Sequence, residues 1–307
     1  MGQESRIGAG LAALVNGLLI GLATVASRHA LAEASPAALA FLRYAAGVLC
    51  LAPIVFLLPR VRFAARDLLP MGLLGIAQFG VLILLLNWGL QHMPAARATL
   101  IFATFPLLTL AIAASFGLER LTAAKLGGVA LTLAGVTLAM GDKLTDGIPD
   151  GPLGWWPELS VFASALTGAI CSVLYRPYVR HYPALQVGAF AMVAAVAALA
   201  ASAGAEGFFA EVPSFRVSVW FAILVAGLSS GLGYFLWLWA LARASPTRVT
   251  VFVGTGPLAA ALLGWWFLGE PLSPLFGAAI LCLGAGLWLA HREAPARPPS
   301  ETRPAPE

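Results

Sequence analysis

Ser160, Ser164, Thr167, Cys171 and Tyr175 follow one another at intervals of 4, 3, 4 and 4 residues. On a helix that spacing puts all five on one face. The surrounding residues are apolar, so the face either lines a watery path or has its polar groups bonded within the protein. The chemistry it could do is reversible hydrogen bonding to a small solute. The structural alternative is that each hydroxyl bonds to a carbonyl of its own helix or packs closely against a neighbouring one. A second face lies in GLSSGLGYFLWLW, where Gly227, Ser230 or Gly231, Tyr234 and Trp237 combine bare backbone with aromatic surface. Tyr234 and Trp237 could stack on an aromatic solute; the glycines equally suit tight helix packing.

Asn16 and Gln78 sit well inside apolar runs, where each could bond a solute or a facing helix. The candidate substrate-binding set is therefore Asn16, Gln78, Ser164, Thr167, Ser230, Tyr234 and Trp237. Arg43 lies about two turns into an apolar run. It could attract a solute carboxylate, but a gating or structural role at a helix end is the favoured reading. Pro106 and Pro257 fall mid-run, and each removes a backbone hydrogen bond, so both are expected to kink helices that could gate.

The acids are informative by position. Glu119, Glu158 and Glu270 fall at the ends of apolar runs, and Asp142, Asp146 and Asp150 fall in a connector. No carboxylate is expected at mid-membrane depth, which favours movement down the solute's own gradient over proton coupling. Catalysis is not expected. Gly227-Leu228-Ser229-Ser230-Gly231 fits G-x-S-x-G as letters, but His29, His92, His181 and His291 all fall at run ends or in loops, away from Ser229. An intramembrane serine hydrolase is the alternative from another class. No H-E-x-x-H zinc motif occurs, and Cys50, Cys171 and Cys282 lack metal-ligand spacing, so neither metal nor cofactor is expected.

These residues must be positioned by helices in lipid. Of 307 residues 60% are hydrophobic and 10% charged, against about 25% charged in a typical soluble domain. Mean hydropathy is +0.88. The net charge of +4 does not form a stripe, so nucleic acid is not an expected partner. A spanning helix needs about 20 mostly apolar residues. Ten stretches qualify or nearly so: Ile7 to Ser27, Ser35 to Leu58, Leu68 to Gln91, Pro94 to Gly117, Thr122 to Met140, Trp156 to Tyr175, Ala184 to Gly204, Val217 to Leu241, Pro246 to Leu268 and Ser273 to Ala290. Thr122 and Ser273 are expected caps of the helices that follow them. With a cytoplasmic N-terminus, 13 of the 18 basic residues fall in inner segments and four (Arg28, Arg97, Lys143 and Arg216) in outer loops, with Arg43 inside a helix. That asymmetry predicts both termini inside. The tail 292–307 is rich in Pro and charge and is expected to be disordered.

Sliding the chain against itself by 151 residues aligns Trp88 with Trp239, Arg97 with Arg248, Thr104 with Thr255, Pro106 with Pro257, Glu119 with Glu270 and Gly135 with Gly286. From Trp88 to Ala139, 14 of 52 positions are identical, more than Ala- and Leu-rich sequence gives by chance. Five helices per repeat invert the second copy in the membrane. The expected fold is an all-α integral membrane protein of ten transmembrane helices in two inverted five-helix repeats, residues 7–140 and 152–291. Inverted repeats are a recurrent construction of secondary transporters, with the solute site between them.

PAALAFLRYAAG, NWGLQHMPAARATLIFATFPLL and LERLTAAKLGGVALTLAG, with LWALARASPTRVTVFVGTGPLAAALLG and LGEPLSPLFGAAILCLGAG in the second half, resemble the drug/metabolite transporter (DMT) superfamily in its EamA-type ten-helix members. The resemblance spans residues 7–291. It implies a bundle with cytoplasmic termini that exports small metabolites across the bacterial inner membrane. Within the family the chain looks most like the exporters of aromatic amino acids (the YddG type). Carriers of nucleotide sugars or phosphorylated metabolites, which favour several embedded basic residues, are the alternative within the superfamily. A monomer is expected, since ten helices can enclose a path alone.

Overall fold

The computed structural model describes residues 3–59, 61–117, 122–139, 153–210, 214–241, 255–270 and 274–290. Its helices are α1 (Gln3–Ala30), α2 (Pro36–Leu57), α3 (Ala65–Gly75), a π-helical segment (Ile76–Val81), α4 (Leu82–Leu90), α5 (Ala95–Phe102) and α6 (Phe105–Ser115). They continue as α7 (Ala123–Ala139), α8 (Trp156–Leu174), α9 (Arg176–His181), α10 (Ala184–Ala205), α11 (Val217–Leu241), α12 (Thr255–Leu268) and α13 (Pro274–Ala290). Among the described residues no strand occurs. Among the described residues seven helical stretches are long and apolar enough to cross a membrane, and three shorter apolar helices, Ala123–Leu138, Thr255–Leu268 and Pro274–Gly286, accompany them. Bulky apolar side chains such as Leu49, Phe56, Leu57 and Leu281 stand exposed. In water they would form an aggregating surface; in lipid they are the outer wall.

Local chemistry sets the helix starts. Ser35 Oγ accepts from Ala38 N at 3.2 Å, and Pro36 opens α2, where its missing N–H costs nothing. Thr122 Oγ1 accepts from Lys125 N at 3.3 Å, as expected of a cap; Ser273 lies outside the described residues. The stretch 94–117 forms one apolar span, Ala95–Ser115, with an interruption in the middle. It breaks at Ala103 and Thr104 because Pro106 cannot return a hydrogen bond to Phe102, while the Thr104 hydroxyl donates to Ile101 O at 2.8 Å. Pro106 therefore sits in the first turn of α6, and Pro257 is the third residue of α12. The tail 292–307 and the connector 140–152 lie outside the described residues.

Helices from the two halves of the chain interlock. α1 packs on α11 and α12, α8 on α4 and α6, α2 on α10 and α11, and α7 on α13. The α7–α13 pair is close and antiparallel. A Cβ on Gly135 would lie 2.8 Å from the Ala279 carbonyl oxygen, and one on Gly286 would lie 2.7 Å from that of Gly128. The main core collects Leu39, Tyr44, Leu51, Phe79, Ile83, Leu90, Met192 and Ile223 from α2, the π segment, α4, α10 and α11.

Candidate functional site

Three polar side chains from three helices meet where α2 crosses α11. Arg43, in the second turn of α2, is 9% exposed. Its Nε donates to Ser230 Oγ on α11 at 2.7 Å and its Nη1 to Ser27 Oγ on α1 at 3.2 Å. The Ser230 hydroxyl in turn donates to Ala226 O at 2.6 Å. Glycines permit the crossing: a Cβ on Gly227 would lie 2.8 Å from the Arg43 carbonyl oxygen, and one on Gly231 would lie 2.9 Å from that of Gly47.

Aromatic rings continue the site inward. The guanidinium carbon stands 5.7 Å from the Tyr44 ring centre. Tyr44 meets Phe79 edge-on at 5.4 Å, and Phe79 meets Tyr234 edge-on at 5.5 Å. Tyr234 rests on bare backbone, since a Cβ on Gly188 would fall 2.3 Å from its hydroxyl. Phe79 and Gln78 belong to the π segment, where Leu82 N bonds to Ala77 O, five residues back. A π turn changes which residues face inward, and such turns are frequent at functional sites. Gln78 Oε1, Tyr175 Oη and Ser164 Oγ are buried without a hydrogen-bond partner among the described residues. Polar atoms in that state usually await water or a ligand.

The expected residues are thus partly gathered and partly dispersed. Ser230 and Tyr234 join Arg43, Tyr44 and Phe79, with Gln78 next to Phe79. Asn16 is buried at 5% exposure, with its Oδ1 3.0 Å from where a Gly233 Cβ would stand. Trp237 lies apart from Tyr234, in a cluster with Ala12, Ala13 and Ala240. On α8, Ser160 Oγ donates to Leu85 O at 2.7 Å and Thr167 Oγ1 to Ala163 O at 2.8 Å. The hydroxyl face of α8 therefore serves packing at these two positions. Ser229 is buried, while His29, His92 and His181 lie at helix ends. No group of three metal-ligating side chains occurs among the described residues. Ser27, Tyr44 and Phe79 were not singled out in the sequence. The signal available was their adjacency: Tyr44 follows Arg43, and Phe79 follows Gln78.

The two ends of the bundle are tied. At the C-terminal end of α1, Arg28 Nη1 donates to Gln91 O at 3.1 Å, and its Nε lies 3.9 Å from Glu270 Oε1. The Glu270 carboxylate caps α5, accepting from Ala95 N at 3.1 and 3.0 Å. Burial pushes the Glu270 carboxyl up from its ordinary range, partly offset by those N–H donors and by Arg28. Nearby, Arg97 and Glu158 approach at 3.8 Å. Glu33 accepts from Arg216 N at 2.9 Å, and the backbone and side-chain bonds from Arg216 hold its carboxyl below the usual range. At the opposite end Tyr182 Oη donates to Asp67 at 2.7 Å and accepts from Ala64 N at 3.1 Å.

Comparison with known proteins gives this architecture its class. The chain matches the EamA-like transporter family over residues 7–141 and again over 155–292. It belongs to that family, within the DMT superfamily. It is similar to a "Probable terminal-alkyne amino-acid exporter" of Streptantibioticus cattleyicolor, at 30% identity over 74% of each chain. It is also similar to an uncharacterized inner membrane transporter of Escherichia coli K12, YedA, at 28% identity over 75% of each chain. An uncharacterized transporter of Archaeoglobus fulgidus is 25% identical, over 86% of this chain and 92% of that one. A crystal structure shares the fold at a TM-score of 0.68 with 22% identity, covering 94% of this chain and 97% of the other. This EamA-family chain is a multi-pass membrane transporter and not an enzyme.

Proposed function

We propose that this EamA-family protein carries small zwitterionic amino acids, with a preference for those bearing large apolar or aromatic side chains, out of the bacterial cytoplasm. The chain works as a monomer with ten spans in two inverted five-helix halves, residues 7–140 and 152–291, and with both termini cytoplasmic. The ends tied by Glu270 and by Tyr182 open in turn. The observation that carries the mechanism is the antiparallel α7–α13 contact. Gly135 approaches Ala279 and Gly286 approaches Gly128, and both partners of each pair exchange under the 151-residue shift. A two-fold axis in the membrane plane produces that exchange, and two such halves can rock about a central site.

Three observations support the solute class. The Tyr44–Phe79–Tyr234 row offers edge-on aromatic surface, Gln78 and Tyr175 hold polar atoms unpaired among the described residues, and one relative is named for amino-acid export. A phosphorylated solute would call for more embedded positive charge than Arg43 provides.

Uptake into proteoliposomes of the full chain tests the reading. The panel is labelled tryptophan, phenylalanine, threonine, a nucleoside and a sugar phosphate. Saturable uptake of tryptophan and phenylalanine is expected, with threonine slower. Uptake of the nucleoside or the sugar phosphate alone would refute the amino-acid assignment.

A further inference from the structure

An arginine keeps its proton in a folded protein and carries five N–H donors. Burying such a charge away from water is costly unless it is paired. Arg43 is buried beyond nine-tenths, about 10 Å below the start of α2 at 1.5 Å per residue. Yet among the described residues only two of its donors find an acceptor, both neutral serine hydroxyls. The carboxylates whose side chains are described are engaged elsewhere. Glu33 holds Arg216, Asp67 accepts a hydrogen bond from the Tyr182 hydroxyl, and Glu158 faces Arg97. Glu206 accepts one from the Ser35 hydroxyl, and Glu270 caps α5. None of them lies within ion-pair distance of Arg43. The Tyr44 ring offers the remaining attraction, a contact worth about 0.5–2 kcal/mol against a desolvation cost of several.

We infer that Arg43 is the carboxylate-recognition residue of the transport site. The solute's own carboxylate supplies the counter-charge that no described carboxylate provides. The inference rests on the amino-acid carrier reading above and sharpens it. Ser27 and Ser230 hold the guanidinium from two sides, which leaves its free edge to make a bidentate pair with a carboxylate. The aromatic row beside it receives the side chain. A carrier needs a site that binds without trapping, and an arginine steadied by hydroxyls when empty meets that need better than one locked to a fixed acid. The arrangement predicts what is carried: the α-carboxylate is required, and replacing it by an amide leaves the buried charge unpaired.

The test uses proteoliposomes of the full chain with phenylalanine, phenylalaninamide and 3-phenylpropanoate, together with ligand-dependent thermal protection of the purified protein. Wild type is expected to take phenylalanine and 3-phenylpropanoate and to discriminate against the amide by about 10- to 100-fold, the range for a charged hydrogen-bonded pair. Arg43→Gln should raise the phenylalanine KM by a similar factor and erase the discrimination. Arg43→Lys should recover part of both. A purely structural tie between α1 and α11 would lower folded yield without changing the acid-to-amide ratio, so that ratio is the deciding readout.

If Arg43→Gln fails to fold, Ser230→Ala with Ser27→Ala keeps the charge and is expected to lower the ratio by loosening its orientation. Equal transport of acid and amide by wild type overturns the inference and leaves the carrier reading intact. Transport of 3-phenylpropanoate with no amino acid overturns the amino-acid reading and keeps the role of Arg43. No uptake and no protection by any of the three overturns both.

Discussion

Replacing Gly227 by alanine tests how α11 is held against the site. The new Cβ would lie 2.5 Å from the Ala46 Cβ and 2.8 Å from the Arg43 carbonyl oxygen, whereas ordinary contacts begin at 3.4 Å. The helix must therefore retreat by about 0.9 Å at this point. Directed along the Arg43–Ser230 contact, that retreat stretches a 2.7 Å hydrogen bond to about 3.6 Å, beyond bonding range. Overpacking of this kind costs about 1–3 kcal/mol, and losing a charged hydrogen bond costs about 1.5–3 kcal/mol. A loss of about 2 kcal/mol or more is expected. The control is Gly47→Ala on the facing helix, where the nearest atom is 3.5 Å away in ordinary contact. There the gain in helix propensity makes the change neutral or stabilising by up to about 1 kcal/mol. The assay is the unfolding midpoint of purified variants in one detergent, run beside amino-acid uptake. Gly227→Ala should fall in both and Gly47→Ala in neither. Equal behaviour of the two variants would show that the close approach at Gly227 does not hold α11 in place.

Three further outcomes follow from the described contacts. Because burial raises the Glu270 carboxyl, the tied end holds its proton more tightly than a solvated carboxylate would. Stability from this site is present in full below pH 4.5 and is lost as pH rises through the raised value. Midpoints measured across the acid range should show that slope. Glu270→Gln should flatten it, whereas Glu270→Ala leaves Ala95 N unpaired and should cost about 1–3 kcal/mol. Gly188→Ala drives a methyl to within 2.3 Å of the Tyr234 hydroxyl and should displace that ring. A raised KM for aromatic amino acids with an unchanged yield of folded protein is the expected result. Tyr182→Phe removes the donor to Asp67 and the acceptor of Ala64 N, and should lower the unfolding midpoint by about 1–3 kcal/mol in free energy.

Helix existence was legible because apolar runs of spanning length have few other uses, and the caps at Ser35 and Thr122 are local chemistry. The break before Pro106 was foreshadowed by the proline itself, which interrupts the apolar span Ala95–Ser115 at Ala103 and Thr104. The π turn at Ile76–Val81 was not legible, because nothing in IAQFGV favours five-residue over four-residue bonding. The hydroxyl face of α8 shows a deeper limit. Ser160 and Thr167 share the spacing of a path-lining face, yet they bond to backbone carbonyls. Spacing fixes direction around a helix but not what stands opposite. Likewise Tyr44, Phe79 and Tyr234 come from three separate runs, and only packing brings their rings together. Arg43 was visible as an embedded charge. That its described partners are neutral hydroxyls required the structure.

The packing of α1 against α11 and α12 bears on how the protein is made. Val217, the first residue of α11, leaves the ribosome 187 residues after Ala30, the last residue of α1. At about 5–20 residues per second that is an interval of about 10–40 s. During it the face of α1 carrying Asn16 has neither its final partner helix nor water. The first helix must therefore be hydrophobic enough to stay inserted alone, with a polar side chain turned toward lipid or the insertion machinery. Substitutions that make this face more polar would reduce the amount of protein assembled and also destabilise finished molecules, because the same face ends buried against α11.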